Sequence, residues 1–141
     1  MMNNILIING ANLNLLGSRE PGIYGKNDFL SYLEYLKKKY SNLSIDYFQS
    51  NIEGEIVNAL QNNKSEGIIL NAGGYTHTSV VIRDAILSIK TEVVEVHISN
   101  ISAREEFRHT SLITPVCKGS IIGFGLESYE LALLHFILRH G

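Results

Sequence analysis

The chain has 141 residues, 45% of them hydrophobic, which is enough for one domain with its own core. Its formal net charge of −2, with acidic and basic residues interspersed, disfavours nucleic acid as a partner. A single cysteine, Cys117, excludes an intrachain disulfide, and no apolar stretch approaches the roughly 20 residues of a membrane-spanning helix. No basic residue precedes the short apolar run near the N-terminus. We therefore expect residues 1–141 to form one soluble cytoplasmic domain.

Five short apolar runs alternate along the chain with longer stretches of helical periodicity. This pattern is typical of strand-helix units around a parallel sheet, and the lack of alternation within the runs indicates burial on both faces. The predicted strands are Ile5–Asn9, Ser44–Gln49, Gly67–Asn71, Glu92–His97 and Ser120–Phe124. Right-handed crossovers then predict a doubly wound three-layer α/β fold, in which ligands bind at the carboxyl ends of the strands.

Four helices are predicted between and after these strands. The first carries an apolar stripe and an i,i+4 pair of Glu34 and Lys38. A capping box of Ser50 and Glu53 should begin the second helix. The apolar residues predicted for the first helix are Phe29, Leu33, Leu36 and Tyr40, and those for the second are Ile52, Ile56 and Leu60. Those for the third are Val81, Ile82, Ala85, Ile86 and Ile89. The fourth helix is predicted over about residues 128–139.

The loop after the first strand is anomalously long, since residues 10–27 show no periodicity and such connections usually take about 2 to 6 residues. Three glycines at positions 17, 22 and 25 supply hinge freedom around Arg19, Glu20 and Tyr24. A functional lid is the favoured interpretation. A disordered or edge-covering connector is the alternative.

The third strand ends at Asn71, which is followed by two glycines and His77. Gly73 and Gly74 let backbone amides approach a ligand, and a helix N-terminus favours an anion such as a carboxylate. His77 could instead be a capping residue. Arg83 and Asp84 lie further along in the predicted helix. Their default role is to form part of a solvated helix face or of a subunit contact.

The fourth strand places Glu95, His97 and Ser99 on one face, because successive side chains of a strand alternate. A carboxylate beside an imidazole can fix its tautomer and support a general acid near neutral pH. The alternative is a hydrogen-bonded core histidine. Arg104 and Arg108 follow, and a surface ion-pair network with neighbouring glutamates is their ordinary explanation, although Arg108 lies near His97 in the chain.

Several other chemistries lack their residues. The five histidines show no metal-ligand spacing, so no metal is expected, and no lysine lies at the catalytic end of a strand to form a Schiff base. A G-x-S-x-G elbow and a P-loop are absent. The stretch GFGLES retains two of the three glycines of a dinucleotide fingerprint, but at the last strand rather than the first, so no cofactor is expected.

Three long segments, NGANLNLLGSREPGIYG, LNAGGYTHTSVVIRDAI and VEVHISNISAREEFRH, strongly resemble the type II dehydroquinases. The match extends over almost the whole chain in the same order. Ala11 stands where the family usually has proline, and Ser128 where it usually has glycine. The resemblance implies a flavodoxin-like fold with a five-stranded parallel sheet. It also implies anti elimination of water from 3-dehydroquinate through an enolate, in the shikimate pathway.

The resemblance also implies a role for each matching residue. Tyr24 would be the base, Arg19 would hold Tyr24 as its anion, and Asn12 would position a water that stabilises the enolate. His97, oriented by Glu95, would protonate the departing hydroxyl. The implied substrate-binding residues are Asn71, Ile98 and Ser99 for the carboxylate, and His77, Arg108 and Asp84 for the ring hydroxyls. Asp84 would come from a neighbouring subunit of a dodecamer built from trimers.

Two other classes of protein share features with this pattern. A flavodoxin-like electron carrier would have the same fold, but it would need flavin-cradling loops and aromatic side chains around the flavin. A ligand-binding regulatory module could keep the pocket, but it would not need both Tyr24 and His97.

Overall fold

The sheet has five parallel strands in the order β2-β1-β3-β4-β5, in a computed structural model that describes residues 4–16 and 28–140. This is the strand order of flavodoxin-like folds, which confirms the predicted architecture. The strands are β1 (Asn4–Asn9), β2 (Ser44–Gln49), β3 (Gly67–Asn71), β4 (Val93–His97) and β5 (Gly119–Ile122).

The fifth strand ends two residues earlier than the sequence predicts. Gly123 and Gly125 both have positive φ, +94° and +63°, a conformation that leaves the extended region. The chain therefore turns away from the sheet directly after Ile122, and Phe124 lies exposed in that turn.

Within the described residues, four α-helices cover the sheet: α1 (Phe29–Lys39), α2 (Glu53–Asn62), α3 (Val80–Ser88) and α4 (Glu127–His140). Side chains of α1 and α4 pack with Ile5, Ile7, Val94 and Val96 on one face of the sheet. Those of α2 and α3 pack with Ile8, Ile68 and Leu70 on the other face. Because β1, β3 and β4 bury side chains in both directions, the fold has three layers.

The predicted capping box at the start of α2 is wrong. The N-cap residue is Ile52, which has no side chain that can accept a hydrogen bond. The Ser50 hydroxyl accepts from the Ile52 N–H at 3.0 Å and donates to Glu55, not to Glu53. Ser50 lies two residues before the N-cap, so its oxygen reaches the cap residue itself rather than an amide of the first turn.

Two details of the other helices also differ from expectation. Glu34 forms its ion pair with Lys37, at 3.9 Å, rather than with Lys38. Val81 is half exposed, and Ile89 follows the end of α3, whereas Ile82, Ala85 and Ile86 are buried as predicted. The buried stripe of α3 is therefore narrower than the sequence suggests.

The loops after β1 and β3 lie against each other. The Gly10 N–H donates to the Asn71 carbonyl at 2.7 Å, and a Cβ on Gly10 would lie 2.4 Å from the carbonyl oxygen of Ala72. Gly73 has φ +62°, and a Cβ there would lie 2.8 Å from the carbonyl oxygen of Ala11. Glycine at both positions allows this close approach, which brings two loops at the carboxyl edge of the sheet into one site.

None of the helices within the described ranges has the length and apolar character required to span a membrane.

Candidate active site

A cavity of about 110 Å³ opens at the carboxyl ends of β1, β3 and β4. This is the edge where ligands bind in doubly wound folds. The lining residues are Ala11, Asn12, Leu13, Asn71, Gly73, Gly74, His77, His97, Ile98, Ser99, Ile101, Arg104 and Arg108. Polar and cationic groups dominate this lining, which suits a small polar anion.

Most of the predicted site residues meet at this cavity. Seven of them line it: Asn12, Asn71, His77, His97, Ile98, Ser99 and Arg108. Glu95 lies buried behind His97. Asp84 is exposed on α3 and is not among the lining residues. Arg19 and Tyr24, together with the predicted hinge glycines at 17, 22 and 25, lie outside the described residues.

His97 and Glu95 form a buried pair at the end of β4. His97 Nε2 lies 2.8 Å from Glu95 Oε2, and the two residues are only 5% and 1% exposed. An ionised carboxylate only accepts hydrogen bonds, so Nε2 carries the proton of this bond. The tautomer is thereby fixed, and Nδ1 is the ring nitrogen left for a ligand in the cavity. Strand alternation predicted this contact correctly.

Three hydroxyl groups complete the surroundings of Glu95. Ser120 on β5 donates to Oε1 at 2.7 Å, Thr114 donates to the same oxygen, and Ser111 donates to Oε2 at 3.1 Å. Burial acts to raise the pKa of Glu95, but the hydrogen bonds and the charge of His97, together with the hydroxyl donors, hold that pKa below its ordinary value. Glu95 is therefore an anion at neutral pH.

Asn71 is held at the floor of the cavity by a second buried network. Its Nδ2 donates to the Tyr129 hydroxyl at 2.9 Å, and its Oδ1 accepts from the Gly73 N–H at 3.2 Å. The Tyr129 hydroxyl in turn donates to Asn9 Oδ1 at 2.7 Å. These contacts fix the Asn71 amide plane, whose second N–H can serve a ligand.

Asn12 begins the short 3-10 helix Leu13–Leu15 in an unusual conformation. Its φ of +69° is left-handed, and among described non-glycine residues only Asn12 has positive φ. Asparagine tolerates this region better than most residues. The Asn12 N–H donates to Asn51 Oδ1 at 2.9 Å, so a residue two positions after the end of β2 supports a residue that lines the cavity.

Cationic and imidazole groups form a further part of the cavity lining. His77 Nδ1 lies 2.8 Å from the carbonyl oxygen of Thr110, which leaves Nε2 for a ligand. Arg108 pairs with Glu105 and packs over the ring of Phe107, while Arg104 approaches Ser99 Oγ at 3.5 Å. The predicted ion pair with a neighbouring glutamate is therefore present for Arg108, but the same arginine also lines the cavity.

The family model for dehydroquinase class II matches residues 3–137. The chain belongs to the class II dehydroquinase family. The match includes every residue that lines the cavity and both residues of the buried pair.

Relatives of this dehydroquinase family support the assignment. A 3-dehydroquinate dehydratase from Campylobacter jejuni is 53% identical over 137 residues, covering 94% of this chain and 86% of the relative. One from Fusobacterium nucleatum is 51% identical, covering 94% and 95%. The crystal structure of a type II dehydroquinase from Butyrivibrio crossotus superposes with a TM-score of 0.89 at 44% identity, covering 94% and 95% of the two chains.

Several cavity and support residues of this dehydroquinase were not selected from the sequence. Arg104 was assigned to a surface ion-pair network, yet it lines the cavity. Asn51 and Tyr129 carry no local motif, because their contacts join segments that are 39 and 58 residues apart in the chain. Arg104 alone had a usable signal, since it shares a short polar segment with Arg108 after β4.

Across residues 4–16 and 28–140, no group of three or more histidine, cysteine, aspartate or glutamate side chains has the geometry to hold a metal ion.

Proposed function

We propose that the protein is a hydro-lyase that converts 3-dehydroquinate to 3-dehydroshikimate by anti elimination of water through an enolate. Membership of the class II dehydroquinase family supports the reaction. The observation that carries the proposal is the Glu95–His97 pair, which is buried, fixed in one tautomer and open to the cavity through the imidazole. In the proposed mechanism His97 protonates the departing hydroxyl, and Glu95 stabilises the protonated ring.

The substrate-binding residues are assigned from the polar groups that line the cavity. The amide of Asn71 and the backbone N–H groups of Ile98 and Ser99 receive the substrate carboxylate, since all three residues line the cavity. His77 and Arg108, which also line the cavity, bind the ring hydroxyls. Asn12 is a further lining residue and positions the water that stabilises the enolate.

Proton abstraction is assigned to Tyr24, with Arg19 stabilising the tyrosinate. Both assignments rest on the family resemblance of the segment that contains them, and both residues lie outside the described part of the chain. Neither a metal nor a Schiff base takes part in this proposal. An unperturbed tyrosine titrates near pH 10, so Tyr24 requires a cationic partner to be ionised at neutral pH.

The proposal extends to the assembly and the cellular setting. Residues 1–141 act as one catalytic domain in the cytoplasm, within the shikimate pathway of aromatic amino acid biosynthesis. The active assembly is a dodecamer of trimers, in which Asp84 contributes to the site of a neighbouring subunit. The exposed position of Asp84 on α3 supports this placement, because the residue does not line the cavity of its own chain.

The first test is to incubate the purified protein with 3-dehydroquinate and follow the ultraviolet absorbance of the conjugated enone product. We expect His97→Ala to lower kcat by about a hundredfold or more with a small change in KM, since proton donation acts chiefly in the transition state. His135→Ala is the matched control, because His135 lies on α4 and contacts Glu92 rather than the cavity.

Four results would contradict this proposal. Wild-type protein that forms no enone would remove the dehydratase activity. A normal kcat for His97→Ala would remove the assigned acid. Inactivation by borohydride with substrate, or loss of activity on chelation that zinc restores, would replace the proposed chemistry with a Schiff-base or metal mechanism.

A further inference from the structure

The carboxylate of Glu95 receives four hydrogen-bond donors from three separate segments. His97 and Ser111 donate to Oε2, while Thr114 and Ser120 donate to Oε1. An ionised carboxylate offers about four lone-pair sites, so these donors saturate it. The arrangement leaves no oxygen of Glu95 available to accept a further proton without breaking one of these contacts.

The orientation of the Ser111 hydroxyl is fixed by its own surroundings. Its oxygen accepts from the backbone N–H groups of Ile113 at 3.1 Å and Thr114 at 2.9 Å. Because a hydroxyl has two acceptor lone pairs and one proton, the remaining proton must point at Glu95. Ser120 is fixed by a different element, since β5 pairs with β4 and places Ser120 directly beside Glu95 in register.

We propose that Ser111, Thr114 and Ser120 are positioning residues that keep Glu95 ionised and aligned on Nε2 of His97 while the imidazole transfers its proton. This inference rests on the proposed function of His97 as the acid. None of the three hydroxyl residues lines the cavity, so they act through Glu95 and not on the substrate.

The other ionisable groups near Glu95 do not replace this role. Cys117, the nearby thiol, has its pKa raised to about 12 by burial and by the charge of Glu95, so it stays neutral. Beyond His97, the ionisable residues that line the cavity are His77, Arg104 and Arg108, and none of them donates to Glu95 in the described part of the chain. Among the described residues, hydroxyl groups and His97 are thus the groups that donate to Glu95.

Removing one hydroxyl has a defined electrostatic consequence. Each hydroxyl directs the positive end of its dipole at the carboxylate, so its loss leaves the anion less stabilised and raises the pKa of Glu95. The potential at the imidazole also becomes more negative, so the protonated ring of His97 releases its proton less readily. A histidine that holds its proton more tightly is a weaker acid, and a more basic Glu95 competes for the same proton.

Thr114→Val is the decisive variant, because valine has nearly the shape of threonine and carries a methyl group in place of the hydroxyl. Thr114→Ser is its matched control, since serine restores the donor. We expect Thr114→Val to lower kcat by about tenfold with little change in KM, and to move the alkaline limb of the kcat profile to higher pH. In a pH titration followed by NMR of ¹³C-labelled glutamate, the midpoint of the Glu95 carboxyl group should also rise. Thr114→Ser should behave like wild type in each measurement.

A merely structural role predicts a different outcome. Thr114→Val would then lose active protein, while the surviving molecules would keep the wild-type pH profile and Glu95 midpoint; that result overturns the inference. Ser120→Ala is the second variant, should Thr114→Val fold poorly, and it must shift the same two quantities. The NMR titration needs no substrate, so it tests the hydroxyl groups even if the wild-type chain fails to dehydrate 3-dehydroquinate.

Discussion

Glu95 ties the chemistry of the site to the stability of the protein. Glu95 is a fully buried carboxylate. Burial acts to raise its pKa, but His97 and the hydroxyl donors hold that pKa below its ordinary value. A group with a lowered pKa in the folded state stabilises the fold above the pKa of the unfolded chain. That contribution is lost as pH falls through the folded-state pKa, when the carboxylate must accept a proton.

This linkage predicts a pH-dependent effect of Glu95→Gln. At pH 7 the neutral amide presents an N–H group to hydroxyl donors, so we expect the free energy of unfolding to fall by about 2 kcal/mol. The difference between wild type and variant should begin to shrink below about pH 4.3, because the unfolded wild-type chain then takes up a proton that folded Glu95 binds only at lower pH. Denaturant unfolding from pH 7 to 3 measures both values. A constant difference over that range would contradict the linkage, and the exposed Glu34→Gln serves as control.

The sequence predicts some contacts of Glu95 and not others. The pairing of Glu95 with His97 follows from strand alternation, because two residues along a strand share a face. The donors at Ser111, Thr114 and Ser120 do not, since they come from segments 16 to 25 residues beyond Glu95 and carry no local pattern. Local periodicity reports which side of an element a residue faces, but not which distant side chain meets it there.

At the scale of elements, Tyr129 joins α4 to two neighbouring strands. Its hydroxyl donates to Asn9 at the end of β1 and accepts from Asn71 at the end of β3, and the side chain is fully buried. Its ring packs edge-on to Phe29 of α1, with the ring centroids 4.8 Å apart. One side chain therefore links α4 to α1 and to the sheet, and it orients a cavity amide.

Tyr129→Phe should affect both stability and substrate binding. Loss of the hydroxyl leaves Asn9 Oδ1 and Asn71 Nδ2 without this buried partner, and we expect about 2 kcal/mol lower free energy of unfolding. KM for 3-dehydroquinate should rise several-fold, because Asn71 is no longer held toward the substrate carboxylate. Tyr47→Phe is the matched control: its hydroxyl also contacts Asn9, at 3.4 Å, but not Asn71. Equal KM values for the two variants would show that Tyr129 does not orient the binding amide.

The elements themselves were largely predictable, and their errors have physical causes. The five strands and four helices of residues 4–16 and 28–140 follow from periodicity, because burial on a parallel sheet leaves continuous apolar runs and helices leave a stripe with a period of about 3.6 residues. The end of β5 was misplaced because two glycines adopt positive φ, which composition permits but does not require. The prediction of Ser50 as the N-cap of α2 was wrong, because its hydroxyl accepts from the N–H of Ile52, which lies one residue before the first turn.

At the scale of the whole molecule, the outer surface of α3 is unusual for a solvated helix. Val80, Val81 and Leu87 are 56%, 50% and 62% exposed, and Asp84 lies exposed among them in the same helix. Large apolar side chains grouped on a surface commonly mark an interface. This surface agrees with the proposed placement of Asp84 in the site of a neighbouring subunit, and a shared site has a direct functional test.

Complementation between two inactive variants provides that test. Asp84→Ala and His97→Ala should each have low activity when alone, because every site lacks one residue. Co-expressed in equal amounts and purified as mixed oligomers, they should regain activity, since about one quarter of the sites would combine an intact His97 with an intact Asp84 from a neighbour. If both residues served the same site from one chain, no mixed oligomer would contain a complete site. Activity that stays at the level of the separate variants, in oligomers verified by mass spectrometry to be mixed, would therefore contradict the shared site.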